Sequence, residues 1–223
     1  MSVFITGTDT GCGKTFVSAT LLERLNRRGL RTLGMKPVAT GATRGAGRLI
    51  NDDVDTLDRA SSISAPATAR NPYLFEPPCS PHIAAAHAGT TIELPAILAA
   101  FDDCQRRADI VVVEGVGGWL VPLSDQVSVA DLARALHLPV VLVVAVRLGC
   151  INHALLTASA IAATGVEFMG WLANVIEADL YAPSAVIETL ERRIPAPLLG
   201  KLDRHDCSAL DDLAQMVVAA NAS

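Results

Sequence analysis

Short apolar runs alternate with helical patterns along most of the chain, and this alternation constrains the fold more than any other feature. The runs "DIVVVEG" (residues 109–115) and "LPVVLVVAV" (residues 138–146) contain long stretches of valine, isoleucine and leucine. A strand without polar alternation must bury both of its faces, as strands do in parallel sheets covered by helices. We therefore predict an α/β fold with a mostly parallel sheet and helices on both faces.

The remaining predicted elements continue this alternation. Further strands are expected at residues 2–6, 31–38, 168–175 and 197–202. Helices are expected at residues 15–28, 53–61, 80–89, 93–107, 152–164, 184–192 and 206–220. A glycine-rich stretch, residues 41–47, predicts a mobile loop. No repeat, linker or low-complexity segment interrupts the pattern, so we expect residues 1–223 to form a single domain.

Composition and charge exclude several classes of protein. A formal net charge of −5 argues against non-specific nucleic-acid binding, which requires a basic surface. The five cysteines are scattered and form no C-x-x-C pair, so neither a disulfide framework nor a zinc site is predicted. The longest apolar run is too short to span a bilayer, and the N-terminus does not resemble a signal peptide. We expect a cytoplasmic protein without a nucleic-acid or membrane partner.

The segment "GTDTGCGKT" (residues 7–15) follows the first predicted strand and opens the first predicted helix. It is close to the phosphate-binding pattern G-x-x-x-x-G-K-[ST], although Thr8 stands where that pattern begins with glycine. Backbone N–H groups of the loop can surround a phosphate, Lys14 can reach the terminal phosphates, and the Thr15 hydroxyl can bind Mg²⁺. A simple turn would explain the glycines but not a lysine in the first turn of a helix, where a cation is disfavoured. The segment therefore predicts a P-loop.

Charged residues stand where two neighbouring strands are predicted to end, and ligands of parallel sheets bind at that edge. Lys36 ends the second predicted strand and is expected to point into the same crevice as the P-loop. Glu114 ends the strand at residues 109–115, where P-loop enzymes carry an acidic residue that supports Mg²⁺. Gly115 and Gly117 follow it and allow the backbone to approach a ligand closely.

An acidic cluster, Asp52, Asp53 and Asp55, opens a predicted helix. Acidic residues at this position commonly compensate the helix dipole, and Mg²⁺ coordination is the alternative explanation. From the residues alone, dipole compensation is the favoured interpretation of all three.

Together these motifs closely resemble the family of ATP-dependent dethiobiotin synthetases. The matching stretches run from Thr6 to Gly200 and read "TGTDTGCGKT", "GMKPVATG", "NPYLFEPPCSPHIAA", "VVVEGVGGWLVPLSD", "LPVVLVVAVRLGCINHALLT", "GWLAN" and "IPAPLLG". The loop of this family is one residue longer than the common pattern, so Thr8 is normal for it, whereas Gly11 replaces an acidic residue. Close relatives continue after "PLLG" with a proline and an aromatic residue that help to hold adenine. Here the chain reads "KLDRHD" (residues 201–206) instead.

The resemblance implies a P-loop NTPase-type fold and a reaction. CO₂ would be joined to 7,8-diaminopelargonate at the expense of ATP, giving dethiobiotin, ADP and phosphate in biotin biosynthesis. A carbamate of the diamine would attack the γ-phosphate, and the second amine would close the resulting carbamic–phosphoric anhydride to a cyclic urea. Mg²⁺ would be the cofactor, bound by Thr15, Asp53 and Glu114, which reverses the interpretation of Asp53 given above.

The resemblance also assigns individual residues. Lys36 and Lys14 would be catalytic. The implied nucleotide-binding residues are Gly11, Cys12, Gly13, Lys14, Thr15, Phe16, Asp53, Glu114, Gly115, Val116, Gly117, Asn174 and Val175. The implied substrate-binding residues are Thr10, Lys36, Thr40 and Asn152. A homodimer is implied, in which the segment "GCINHA" (residues 149–154) reaches the substrate carboxylate bound by the other subunit.

Other classes of protein remain alternatives. ParA- and MinD-like ATPase switches share the predicted architecture, but they carry a second lysine in the loop that would align with Thr8. A synthetase of the cobyrinic-acid amidating type would need a further glutamine-hydrolysing domain, for which this chain has no room. A nucleotide-binding module without catalytic activity is the third alternative.

Overall fold

The structure is a computed structural model that describes residues 2–45, 47–177, 179–203 and 206–221. The strands are β1 (Val3–Gly7), β2 (Thr32–Met35), β3 (Val38–Ala39), β4 (Thr43–Gly45), β5 (Arg48–Ile50), β6 (Tyr73–Leu74), β7 (Ile110–Glu114), β8 (Val140–Val146), β9 (Phe168–Val175) and β10 (Leu198–Leu202). The helices are α1 (Lys14–Asn26), α2 (Asp52–Ala60), α3 (Ala67–Arg70), α4 (Pro81–His87), α5 (Leu94–Arg107), α6 (Val129–Leu136), α7 (Cys150–Ala163), α8 (Pro183–Glu191) and α9 (Ala209–Asn221).

Six strands form a central parallel sheet in the order β10-β9-β8-β1-β7-β2. The strands that follow β1 in the chain are placed on both sides of it, with β7 and β2 on one side and β8 on the other. Connections that leave a central strand toward opposite edges open a crevice beyond its carboxyl end. The predicted parallel sheet is confirmed, and the segment that follows β1 lies at this crevice.

The core has two layers, one on each face of the sheet. Successive side chains of a strand point to opposite faces, so Phe4 packs into one layer while Val3 and Ile5 pack into the other. One layer is completed by α1, α2 and α9, and the other by α4, α5, α6, α7 and α8. Apolar burial on both faces explains why the strand sequences are continuous apolar runs. The prediction of helices on both faces is confirmed.

Two local predictions differ from the structure. The predicted strand at residues 31–38 is divided, because β2 ends at Met35 and β3 pairs instead with β6 in a separate small sheet. Pro37 lies in the gap, where it cannot donate a ladder hydrogen bond. Most of the predicted loop at residues 41–47 belongs to the antiparallel hairpin of β4 and β5, although residue 46 lies outside the described residues.

Helix α6 was missed by the sequence analysis, although a readable signal precedes it. The Ser128 hydroxyl oxygen accepts a hydrogen bond from the Asp131 N–H, and the Asp131 carboxylate accepts one from the Ser128 N–H. This reciprocal pair is a capping box. A Ser-x-x-Asp pattern ahead of an apolar periodic run therefore marks the helix start.

Within the described residues, each helix is either too short or too polar to cross a lipid bilayer.

Cys104 is expected to be chemically inert in the folded protein. It is buried in α5, where its thiol donates a hydrogen bond to the carbonyl oxygen of Ala69. Burial, aided by the charge of Asp103, raises the pKa of the thiol to about 11. At pH 8 we expect Cys104 to react with a disulfide reagent at least about a hundredfold more slowly than the half-buried Cys79, because the thiolate is the nucleophile.

Mass spectrometry of the labelled peptides measures this difference directly. The protein unfolded in guanidinium is the control, because both thiols should then react at similar rates. Equal rates in the folded protein would contradict the buried position of Cys104.

Candidate active site

The P-loop connects β1 to α1 and depends on glycine at two positions. Gly11 has φ 75° and Gly13 has φ 98°, a region in which side chains other than hydrogen are strained. A Cβ on Gly13 would also collide with the side-chain amide of Asn174. Gly13 is the N-cap of α1, so the helix begins directly at Lys14. The loop can therefore direct backbone N–H groups and a helix N-terminus toward a bound anion.

Replacing Gly13 with alanine is expected to destabilise the fold and abolish ADP binding. The left-handed backbone costs about 1 to 3 kcal/mol for a residue with a Cβ, and the collision with Asn174 displaces the loop in addition. Gly29→Ala is the matched control, because Gly29 has φ 78° with open space around the added Cβ. Urea unfolding and calorimetric titration with ADP measure the two effects. Full ADP binding by Gly13→Ala would contradict the described loop geometry.

Lys14 lies folded over the P-loop. Its Nζ donates a hydrogen bond of 2.8 Å to the backbone carbonyl of Asp9, and its side chain is buried. Burial lowers the pKa of Lys14, and the nearby charge of Lys36 acts in the same direction. A phosphate beside the loop would offer this ammonium a charged partner in place of a carbonyl oxygen.

Sheet register places Lys36 beside Glu114. Met35 of β2 pairs with Val113 of β7, so the residues that follow these two are neighbours at the carboxyl ends of the strands. Lys36 Nζ lies 2.5 Å from Glu114 Oε1 and 2.8 Å from Asp53 Oδ2. Burial disfavours the ammonium, but the charges of Glu114 and Asp53 outweigh it and raise the pKa of Lys36.

Asp53 belongs to this cluster although it lies in the first turn of α2. The side chain of Asn51 caps the helix by accepting hydrogen bonds from the N–H groups of Asp53 and Val54. The Asp53 carboxylate accepts a hydrogen bond of 2.8 Å from Lys36 and one of 2.7 Å from the Thr15 hydroxyl. Burial alone would raise the pKa of Asp53, but Lys36, Thr15 and Lys14 together lower it. Dipole compensation therefore does not account for the position of this side chain.

The oxygen atoms around Thr15 fit a magnesium ion. Thr15 Oγ1 lies 2.7 Å from Asp53 Oδ1 and 2.9 Å from Glu114 Oε1, so all three predicted ligands adjoin one another. Glu114 Oε2 is buried and accepts no hydrogen bond from the described residues. No cluster of three or more acidic, histidine or cysteine ligands occurs in the described part of the chain. Two carboxylates and a hydroxyl suit Mg²⁺, which completes its shell with water and phosphate oxygens.

A cavity of about 390 Å³ brings together most of the predicted residues. It is lined by Thr10, Gly11, Gly13, Lys14, Thr15, Lys36, Ala39, Thr40, Asp53, Val116 and Gly117. These include both predicted catalytic lysines and three of the four predicted substrate residues. Ala39 was missed, because an alanine beside Thr40 carries no chemical signal of its own.

Four predicted nucleotide-binding residues of the P-loop, α1 and the end of β7 do not line this cavity. Glu114 ends β7 behind Lys36, and the N–H of Gly115 donates to the carbonyl of Ile5. Cys12 is buried inside the P-loop, while Phe16 is partly exposed in the first turn of α1. Cys12 and Gly115 therefore support the shape of the loop and of the sheet edge.

Asn174 holds the P-loop in place. It lies near the end of β9, and its Nδ2 donates a hydrogen bond of 2.9 Å to the backbone carbonyl of Cys12. Val175 is the last residue of the strand. The predicted contact of Asn174 with adenine can use the side-chain carbonyl oxygen or the second N–H of the amide, because one N–H already bonds the loop.

Asn152 and Lys36 line different cavities of the same chain. Asn152 lies in the first turn of α7 and lines a separate cavity of about 440 Å³ together with Arg147 and His153. Arg147 was not singled out in the sequence, yet it forms an ion pair of 3.0 Å with Asp9 of the P-loop. Its only signal is a cation directly after the buried strand β8.

Known proteins resemble this chain along most of its length. A family profile described as "AAA domain" matches residues 1–209. The "ATP-dependent dethiobiotin synthetase BioD" of Ralstonia nicotianae is 51% identical over 201 residues, covering 90% of this chain and 88% of that protein.

Solved structures share the fold at low sequence identity. The septum site-determining protein MinD of Pyrococcus horikoshii, complexed with Mg-ADP, has a TM-score of 0.59 at 15% identity, covering 97% of this chain and 96% of MinD. A ParA family ATPase of Chlorobium tepidum has a TM-score of 0.56 at 13% identity, covering 98% of this chain and 92% of that one. Identity at this level supports the shared α/β architecture alone. The synthetase relative decides the family, and the chain belongs to the ATP-dependent dethiobiotin synthetases, ATP-using ligases of biotin biosynthesis.

Proposed function

We propose that the cavity beside the P-loop is the site at which 7,8-diaminopelargonate, CO₂ and ATP are converted to dethiobiotin, ADP and phosphate. One observation supports this most strongly: two buried lysines, Lys14 and Lys36, line the same cavity as the hydroxyl of Thr40. The phosphoryl transfer requires positioned cations more than covalent participation by the protein. The identity of 51% to a dethiobiotin synthetase supports the overall reaction.

In this proposal the P-loop binds the phosphates of ATP. The N–H groups of Gly11, Cys12 and Gly13 and the start of α1 face the phosphates, and Lys14 leaves the Asp9 carbonyl to contact them. Bound by Thr15, Asp53 and Glu114, Mg²⁺ would neutralise charge on the phosphate oxygens. The MinD structure of the same fold was solved with Mg-ADP, which supports this assignment.

The chemistry proceeds in three steps. An amine of the diamine adds to CO₂ and loses a proton, giving a carbamate. A carbamate oxygen attacks the γ-phosphorus, ADP leaves, and a carbamic–phosphoric anhydride forms. The second amine then attacks the carbamoyl carbon, loses a proton, closes the cyclic urea and expels phosphate. Lys36 stabilises the anionic carbamate and the transferring phosphoryl group, while Thr10 and Thr40 orient the diamine.

The homodimer is also a proposal. Asn152 lines a separate cavity from Lys36 within its own chain, which supports a contact with the diamine carboxylate bound by a second subunit. Leu148 is 90% exposed beside it, and Leu120 and Leu156 are exposed on the walls of a neighbouring cavity. Exposed apolar side chains of this kind favour burial by a second copy of the chain.

The anhydride predicts the fate of one oxygen atom. In a single turnover started with C¹⁸O₂ and stopped before isotope exchange with water, we expect one ¹⁸O atom in each phosphate released, because the bridging oxygen comes from the carbamate. Mass spectrometry of the phosphate measures this. The control uses unlabelled CO₂ in H₂¹⁸O over the same short time and should give unlabelled phosphate. Dethiobiotin formation with unlabelled phosphate from C¹⁸O₂ would contradict the carbamate–anhydride route.

A further inference from the structure

The ammonium of Lys36 contacts the same carboxylates that are proposed to hold Mg²⁺. Its Nζ lies between Asp53 Oδ2 and Glu114 Oε1, and its side chain is only 4% exposed. The Glu114 side chain is fully buried, so a cation beside it is needed to offset the cost of burying its charge. In this arrangement Lys36 supplies that cation.

We propose that Lys36 and Mg²⁺ compete for Asp53 and Glu114, so that metal binding transfers the Lys36 ammonium from the carboxylates into the substrate cavity. The inference rests on the proposed function, because it takes Mg²⁺ to bind at these oxygens. Lys36 would then have two roles. It occupies the metal site before Mg²⁺ binds, and it contacts the substrate afterwards.

Charge and space support the competition. Two carboxylates and one ammonium carry a formal charge of −1. If a divalent ion replaces the ammonium, the formal charge becomes zero. An ammonium and Mg²⁺ on the same Glu114 oxygen would repel each other strongly at contact distance in a buried site. Glu114 Oε2 is buried and accepts no hydrogen bond from the described residues, so it remains available to a metal that replaces Lys36 beside this carboxylate.

A displaced Lys36 ammonium can move into the neighbouring cavity. Lys36 has a flexible four-carbon stem, and it lines the cavity that also contains Lys14 and Thr40. An anionic phosphate or carbamate in that cavity would receive the ammonium. The catalytic lysine would therefore become available to the substrate only after the metal is in position.

The chain suits a direct test because its sequence contains three lysines, Lys14, Lys36 and Lys201. Lysine labelled with ¹³C at Cε and ¹⁵N at Nζ should give three side-chain NMR signals. Lys14→Arg and Lys201→Arg assign two of them, and the third belongs to Lys36. EDTA-treated protein saturated with ADP is titrated with Mg²⁺, so that the metal is the only component that changes.

We expect the Lys36 signal to shift saturably with Mg²⁺, while the signal of Lys201, an exposed residue of β10, stays unchanged. A parallel titration with Mn²⁺ reports whether the metal binds, because it broadens the signals of the lysines near it. Broadening of Lys14 and Lys36 by Mn²⁺ without a Mg²⁺-dependent shift of Lys36 would overturn the competition and leave the metal site intact. No broadening of either signal would contradict the metal site itself, and with it this part of the proposed function.

Metal affinity provides a second measurement. Lys36→Met should bind Mn²⁺ about tenfold more tightly than the unchanged protein at pH 8, because the competing cation is gone. Lys201→Met is the matched control and should differ by less than about twofold. Equal or weaker Mn²⁺ binding by Lys36→Met would overturn the proposal.

Discussion

Replacing Lys36 with methionine is expected to lower diamine-dependent phosphate release by about a hundred- to a thousandfold. Methionine keeps much of the length and apolar surface of the side chain but removes the ammonium that faces the cavity. The loss should appear in kcat at saturating substrates, because Lys36 is proposed to stabilise the transferring phosphoryl group. Steady-state phosphate release with ATP, Mg²⁺, bicarbonate and 7,8-diaminopelargonate measures it.

Binding measurements separate this catalytic loss from a damaged site. Lys36→Met should still bind ADP, because the P-loop and Lys14 are unchanged. Lys201→Met, which removes the same charge from the exposed edge of β10, should retain the full kcat at saturating ATP. A rate within about fivefold of the unchanged protein would remove Lys36 from the mechanism.

Replacing Glu114 with glutamine is expected to lower the free energy of unfolding by about 3 kcal/mol. Glutamine preserves the shape and can still bond the Thr15 hydroxyl, but it leaves the buried ammonium of Lys36 with Asp53 as its remaining carboxylate. Activity should fall as well, because a proposed metal ligand loses its charge. Urea unfolding and phosphate release measure the two effects.

Asp53→Asn is the matched comparison, because it removes a carboxylate from the same lysine at a more exposed position. The Asp53 side chain is 43% exposed, whereas that of Glu114 is fully buried. Solvent screens the loss at Asp53, so stability should fall by about 1 kcal/mol or less while activity is still lost. Equal destabilisation by both substitutions would contradict the expectation that burial of the carboxylate determines the loss of stability.

Much of the fold and part of the site could be predicted because the relevant patterns are local. The P-loop is contiguous in sequence, and the fully apolar strands are readable one at a time. Lys36 and Glu114 could be placed at one edge because the carboxyl ends of parallel strands meet there. Their ion pair additionally depends on the register of β2 with β7, which a single sequence does not display.

Other features depend on contacts between distant segments and were not predictable. An acidic residue such as Asp53 in the first turn of a helix is explained locally by compensation of the helix dipole. The carboxylate reaches Lys36 because α2 packs against α1 and β2. Asn174 binds the P-loop backbone across a long chain separation, so its sequence context gives no hint of that hydrogen bond. The division of β2 and β3 depends on the partner strand β6.

In the proposed reaction, ATP is consumed only when the diamine is present. The most direct measurement is phosphate release by the purified protein with ATP, Mg²⁺ and bicarbonate, in the presence and absence of 7,8-diaminopelargonate. We predict release only with the diamine, in equal amount to the dethiobiotin formed. Release at the same rate without the diamine would contradict the proposed reaction and would instead indicate an ATPase like the structurally similar MinD and ParA proteins.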